Sequence, residues 1–232
     1  LVTVSDEGGH PTYALTLDGQ PLLLPSVLGF KADFGDFTQG MKITATKASQ
    51  TDRCYEMRQA KQSHMHYVAT LLTLDFENGN GQKMSMEFSV GDNDVAFRYL
   101  IPRQKGDNPK SAVILSEQTS FRLPEGTTTF LTPQSNPMDG WERTKPSYEE
   151  VYQPDAPMAQ QSKYGQGFTF PCLFKCPSPK PEEPAWVLIS ETGVTSAYCG
   201  SHLSDGKPIE APSEASLYGL PNMSTSSYPL AR

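Results

Sequence analysis

Apolar and polar residues alternate with a period of two along much of this chain, the spacing of half-buried β-strands. Residues 41–47 (Met-Lys-Ile-Thr-Ala-Thr-Lys) show it plainly, as do residues 95–101, where Val95, Phe97, Tyr99 and Ile101 fall on one face. Tyr13-Ala-Leu-Thr-Leu, Asp18-Gly19 and Gln20-Pro-Leu-Leu-Leu together predict a hairpin, because Asp-Gly supplies the positive φ angles of a two-residue turn. Residues 67–76 and 83–90 predict two more strands joined by Glu77-Asn-Gly-Asn-Gly, and Gly91-Asp-Asn-Asp94 turns the chain into the next. Further strands are expected at 112–115, 119–123, 128–131, 167–174, 186–190 and 197–203. About a dozen strands with turn signals every ~8–12 residues give an all-β sandwich or barrel.

Helix signals are nearly absent. Tyr148-Glu-Glu-Val-Tyr152, capped by Ser147 after Pro146, predicts one turn. The proline-rich run 176–184 is a loop, since proline cannot donate to a sheet ladder, and it is too short to divide the chain. With no internal repeat, residues 1–232 are expected to form one large antiparallel sandwich.

Composition narrows the function. Apolar residues at 37% and aromatics at 10% can fill a core. A net charge of -7 without a Lys/Arg cluster argues against nucleic acid. No apolar run approaches the ~20 residues a membrane span needs. The chain opens on a strand-like Leu-Val-Thr-Val and closes after a polar, serine-rich stretch. Both ends are expected to be cuts, with a leader removed in front and more protein behind.

Candidate chemistry is sparse. Cys172-x3-Cys176 is half a zinc motif without a second half; Cys54 and Cys199 do not complete it, and buried or half-buried thiols are the default. Glu149-Glu150 and Glu182-Glu183 are adjacent, so their side chains diverge, and they read as solvated loop charge rather than a glycosidase acid–base pair. The sequence has no Gly-x-Ser-x-Gly elbow and no glycine-rich phosphate loop. Trp141, Tyr148, Tyr152 and Tyr164 sit in the least regular section, to stack on sugars or to pin that loop to the sandwich. Glu191 stands apart. It follows the short apolar strand Trp186-Val-Leu-Ile-Ser and precedes Thr192-Gly193, where a carboxylate leaves the sheet either to meet a hard cation, a sugar hydroxyl or a neighbouring domain, or simply as a solvated loop charge.

Four segments occur in one order: Pro21-Leu-Leu-Leu-Pro-Ser-Val-Leu-Gly-Phe30, Asp94-Val-Ala-Phe-Arg-Tyr99, Ser147-Tyr-Glu-Glu-Val-Tyr152 and Trp186-Val-Leu-Ile-Ser-Glu-Thr-Gly193. In their order and spacing the chain resembles the N-terminal domain of glycoside hydrolase family 97, bacterial α-glucosidases and α-galactosidases. The resemblance implies a β-super-sandwich of the galactose mutarotase-like fold. It also implies a following (β/α)₈ barrel that carries the catalytic carboxylates, so the chain alone is expected to be inactive. Glu191 matches the family glutamate that reaches into the barrel's active site and helps bind Ca²⁺. Family members often have alanine after that glutamate, where this chain has Thr192-Gly193. The resemblance puts residues 141–152 near the barrel, and gives Arg98 and Tyr99 packing and hydrogen-bonding roles.

The resulting expectation is the non-catalytic domain of a calcium-dependent α-glycosidase acting on oligosaccharides, periplasmic or secreted. A free-standing carbohydrate-binding sandwich is the alternative. A mutarotase-like enzyme would need a histidine and a glutamate in one cleft, with His64 and His66 as its candidates.

Overall fold

The computed structural model describes residues 1–102, 113–135, 150–178, 180, 182–193, 201–205, 207–208 and 216–219. In chain order the strands are β1 (Val2–Ser5), β2 (Thr12–Leu17), β3 (Gln20–Val27), β4 (Phe30–Ala32), β5 (Gly35–Asp36), β6 (Lys42–Glu56), β7 (His64–Glu77) and β8 (Lys83–Val90). They continue with β9 (Val95–Leu100), β10 (Ile114–Glu117), β11 (Ser120–Arg122), β12 (Thr128–Leu131), β13 (Gln153–Pro157), β14 (Cys172–Cys176), β15 (Ala185–Ile189), β16 (Lys207–Pro208) and β17 (Ser216–Gly219). A single 3₁₀ turn, Glu7–Gly9, is the one helical element among the described residues, and no helix there is long and apolar enough to cross a membrane. The protein is an all-β sandwich.

Among the described residues four antiparallel sheets carry the strands, in the orders β1-β2-β3-β11-β17-β16, β10-β4-β5, β6-β7-β8-β9 and β13-β12-β14-β15. The predicted hairpin is β2–β3. Leu17 pairs with Gln20 across the turn, and Asp18 and Gly19 both take left-handed φ, +49° and +79°. Between β7 and β8 the Asn78 side chain builds the turn: its oxygen accepts the amides of Asn80 and Gln82 at 3.0 and 2.9 Å, and its amide donates to the Asp36 carbonyl at 3.1 Å. Strands β6 and β7 run together from Lys42↔Glu77 to Glu56↔His64, but β8 covers only Thr70 to Glu77. Their outer half is therefore a two-stranded ribbon, held by pairs such as His66–Asp52 at 2.7 Å.

The inward residues of all four sheets meet in one cluster, including Tyr13, Leu23, Phe30, Phe76, Phe88, Leu131 and Phe174. Each large side chain removed from water there contributes about 1.5–3 kcal/mol before chain entropy is counted. Between β3 and β11 the ladder has a single residue pair, Leu24↔Arg122, and serines complete it. Ser120 Oγ accepts the Val27 amide and Ser26 Oγ accepts the Arg122 amide, each at 2.8 Å, so these buried N–H groups keep partners. Tyr99, as expected, serves packing and hydrogen bonding: its ring meets Phe30 edge-on at 5.4 Å, and its hydroxyl accepts the Gly29 amide at 2.8 Å.

Several expectations change. Strand β13 was not predicted, because Gln153-Pro-Asp-Ala-Pro157 carries two prolines; it is the sheet's edge strand, where proline is tolerated. Residues 150–152 of the predicted helical turn are not helical. Residues 148 and 149 of that turn, and most of the strand expected at 197–203, lie outside the described residues.

Candidate functional site

Strand β15 pairs along its length with β14, from Ala185↔Cys176 to Ile189↔Cys172. Its inward residues Val187 and Ile189 join the core, and the chain leaves the sheet at Ser190. Gly193, at φ +68°, then turns it away. Glu191 is half-buried at this exit. Its carboxylate is not free in solvent: it accepts the Ser201 hydroxyl at 2.7 Å and the Ser201 amide at 3.2 and 3.3 Å.

Ser201 is held in turn by the segment behind it. Leu203 exchanges two backbone hydrogen bonds with Phe168, at 2.7 and 2.9 Å. That approach requires glycine at 167, where φ is +89° and a Cβ would strike the Leu203 carbonyl oxygen. On its other side the same segment hydrogen-bonds to residues 132–134, through Gln134 N to Gly167 O at 2.8 Å and Thr169 N to Thr132 O at 3.1 Å. The Thr132 hydroxyl continues the chain of contacts to the Glu150 carbonyl at 3.1 Å. Glu191 and Glu150 thus stand at two ends of one hydrogen-bonded rim.

Glu150 corrects the reading of Glu149-Glu150 as solvated charge. Its side chain is only 7% exposed, accepting the Tyr164 hydroxyl at 3.0 Å and meeting Lys163 Nζ at 3.4 Å, with that ammonium 4.8 Å from the Tyr164 ring centre. The signal was hidden because its partners lie 13 and 14 residues ahead. Glu149 lies outside the described residues, as do Trp141, Tyr148 and Cys199. Tyr152 and Tyr164 pin the loop, as one expectation had it. Tyr152 stacks on Phe130 at 4.9 Å and 16°, and Tyr164 anchors Glu150.

The other candidates disperse. His64 and His66 share a face of the ribbon and pair with Glu56 and Asp52, all strongly exposed. Glu182 and Glu183 are exposed. Cys172 and Cys176 are free and buried on the core face of β14, where burial pushes the Cys172 thiol up to about 12. Among the described residues no three His, Cys, Asp or Glu side chains gather as a metal site. A carboxylate such as Glu191 is the right donor for calcium, but calcium takes about 6–8 oxygens, so this chain offers at most part of a site.

Comparison with known proteins agrees with this geometry. A solved β-arabinopyranosidase is 44% identical, superposes with a TM-score of 0.85, and is matched over 98% of this chain but 36% of its own. A glycoside hydrolase family 97 enzyme from Pseudoalteromonas sp. strain K8, solved with panose, shares the fold at a TM-score of 0.65 and 20% identity, over 94% of this chain and 30% of that one. A probable retaining α-galactosidase of Streptomyces bingchenggensis (strain BCW-1) is 28% identical over 124 residues, 52% of this chain and 19% of that protein. The chain therefore spans about a third or less of the proteins it matches. Residues 1–224 match the family described as glycosyl-hydrolase 97 N-terminal, and the chain belongs to that family.

Proposed function

We propose that this chain is the non-catalytic sandwich of a calcium-dependent glycosidase, periplasmic or secreted, that docks on a (β/α)₈ catalytic barrel of the same polypeptide and lends it Glu191. The observation that carries the reading is the carboxylate at the exit of β15, half-buried and aligned by two donors from Ser201. Such bonds fix a ligand's rotamer before the metal arrives, as outer-shell partners of metal sites do. One oxygen donor group is too few for calcium, so the remaining ligands come from the barrel. When bound there, calcium orients and polarises the oxygen beside it. This chain's own part is to hold the carboxylate still.

The substrate is a glycoside with a galacto-configured ring. An α-D-galactopyranoside and a β-L-arabinopyranoside share ring stereochemistry and differ by a hydroxymethyl group, and the two named activities among the relatives are those of an α-galactosidase and a β-arabinopyranosidase. An α-glucoside differs at C4, and it is the expectation this choice sets aside.

The test is hydrolysis of p-nitrophenyl α-galactoside, β-L-arabinopyranoside and α-glucoside by the longer polypeptide and by this chain alone. The longer polypeptide cleaves one of the first two, this chain none. Chelation or Glu191→Gln lowers the rate at least about tenfold, with calcium affinity falling in parallel. Activity that survives both treatments overturns the calcium reading, and activity in this chain alone overturns the non-catalytic one.

A further inference from the structure

An antiparallel sheet with one face on the core is ordinarily polar on the other. The sheet β13-β12-β14-β15 is not. The outward positions of its three best-paired strands are Thr128, Phe130, Leu173, Lys175, Trp186 and Leu188, and four of these six are apolar. Their register aligns them: Phe130 lies opposite Leu173, and Leu173 opposite Leu188. Trp186 is 55% and Leu188 63% exposed, and Tyr152 extends the row by stacking on Phe130.

Strand β15 closes the sheet as its edge among the described residues. Edge strands are commonly blunted by charge, proline or a bulge. Ala185-Trp-Val-Leu-Ile189 has none of the three. Among the described residues the edge is unpaired and the face beside it is apolar and exposed, and such a surface is made to be covered.

We propose that the catalytic domain of the same polypeptide covers it, with Trp186 as anchor and Phe130, Leu173 and Leu188 as the packed row. This rests on the reading of the chain as one domain of a longer glycosidase. Three observations select that occupant. The solved β-arabinopyranosidase matches this chain across nearly all of it yet uses only 36% of its own length in doing so, which leaves a large body to be seated. Leu188 lies on β15 three residues before Glu191, so a domain that receives the carboxylate is brought close to this end of the sheet. The patch also has the anatomy of a protein interface: an aromatic and aliphatic centre bordered by a polar corner, where Asp155 accepts the Thr128 hydroxyl at 3.1 Å and meets Lys175 at 3.7 Å. A saccharide platform would replace the leucines with polar groups able to bind hydroxyls.

Hydroxyl-radical footprinting read by mass spectrometry tests the assignment on the full-length polypeptide and on this chain. Oxidation of Trp186 and Leu188 falls about tenfold in the full-length protein, at every protein concentration and without added sugar. Equal reactivity in the two proteins overturns the proposal. Protection that grows with concentration in this chain alone assigns the face to a second copy and overturns it too. Protection that needs added oligosaccharide makes it a sugar site, with the same consequence. Calcium and Glu191 dependence, measured on the same full-length sample, separates the two readings: if that dependence holds while Trp186 stays reactive, only the docking face falls.

Discussion

Two four-stranded sheets in this molecule have nearly the same inside and opposite outsides. In β6-β7-β8-β9 the inward residues Leu74, Phe76, Met84, Met86 and Phe88 are buried; in β13-β12-β14-β15 Leu131, Cys172, Phe174, Cys176 and Ile189 do the same. Outward, the first sheet presents a polar ladder. Arg98 pairs with Glu87 across β8 and β9 at 2.6 Å, and the Ser85 hydroxyl donates to Asp75 at 2.5 Å. The second presents Phe130, Leu173, Trp186 and Leu188. The inward pattern is a statement about the fold, and both sheets make the same one. The outward pattern is a statement about what lies beyond the sheet, and here the two sheets differ: one is finished with charged and hydroxyl groups, the other with exposed apolar ones.

If the inward faces are equivalent, truncating either must cost alike. Phe88→Ala and Phe174→Ala, both fully buried, each lose about 3–5 kcal/mol in denaturant unfolding. A cost under about 1 kcal/mol at Phe174 would mean that the second sheet does not share the core, and the comparison would fail. The outward faces should then cost little. Arg98→Ala removes a surface ion pair, its side chain 70% exposed, and shifts stability by about 0–1 kcal/mol, less as salt is added. A loss of several kcal/mol there would show that the polar ladder holds the sheet together rather than finishing it with solvent.

The contrast between the faces also decides what was legible in the sequence. Strands β8 and β12 match the predicted 83–90 and 128–131 because their alternation is local, and the Asp18-Gly19 turn carries its own geometry. Strand β6 continues nine residues past the predicted end at 47, to Glu56. That half has no buried face to impose alternation; it is held by cross-strand partners such as Asp52 and His66, which periodicity does not register. The two-residue β5 and three-residue β4 exist only through pairing with each other and β10. At the site, the place of Glu191 at a strand end was readable, since it depends on the residues just before it. Its grip by Ser201 was not, because that contact is made by Gly167 letting a distant backbone approach. The apolar outward row was hidden for a related reason. Trp186-Val-Leu-Ile reads as a continuous buried strand, and only pairing distinguishes the inward Val187 and Ile189 from the outward Trp186 and Leu188.

The smallest expected effect separates the sheets from behind. Tyr99, inward on β9, ends in a relay in which the Thr119 hydroxyl, 2.7 Å from the Tyr99 hydroxyl, donates to Glu117 at 2.7 Å. Burial raises the Glu117 carboxyl above the ordinary range, and the hydrogen bond from Thr119 lowers it by less. Behind the other sheet the buried group is the Cys172 thiol, pushed up to about 12 and so silent in acid. For an acid whose folded value is raised, the native chain keeps a proton that the unfolded chain has lost. Its contribution is therefore complete below the unfolded carboxylate range and is lost as pH rises through the folded value. Glu117→Gln keeps an acceptor for Thr119 and removes the titration. Thermal unfolding of both proteins from pH 4 to 8 should show the variant more stable at neutral pH and the two converging in acid. Other carboxylates such as Asp36, whose burial is outweighed by hydrogen bonds from Thr38 and Lys31 that hold it low, titrate alike in both proteins and cancel from the difference. A gap between them that does not change with pH would mean that Glu117 is ionised in the fold, and that charge, not a held proton, sits behind the polar sheet.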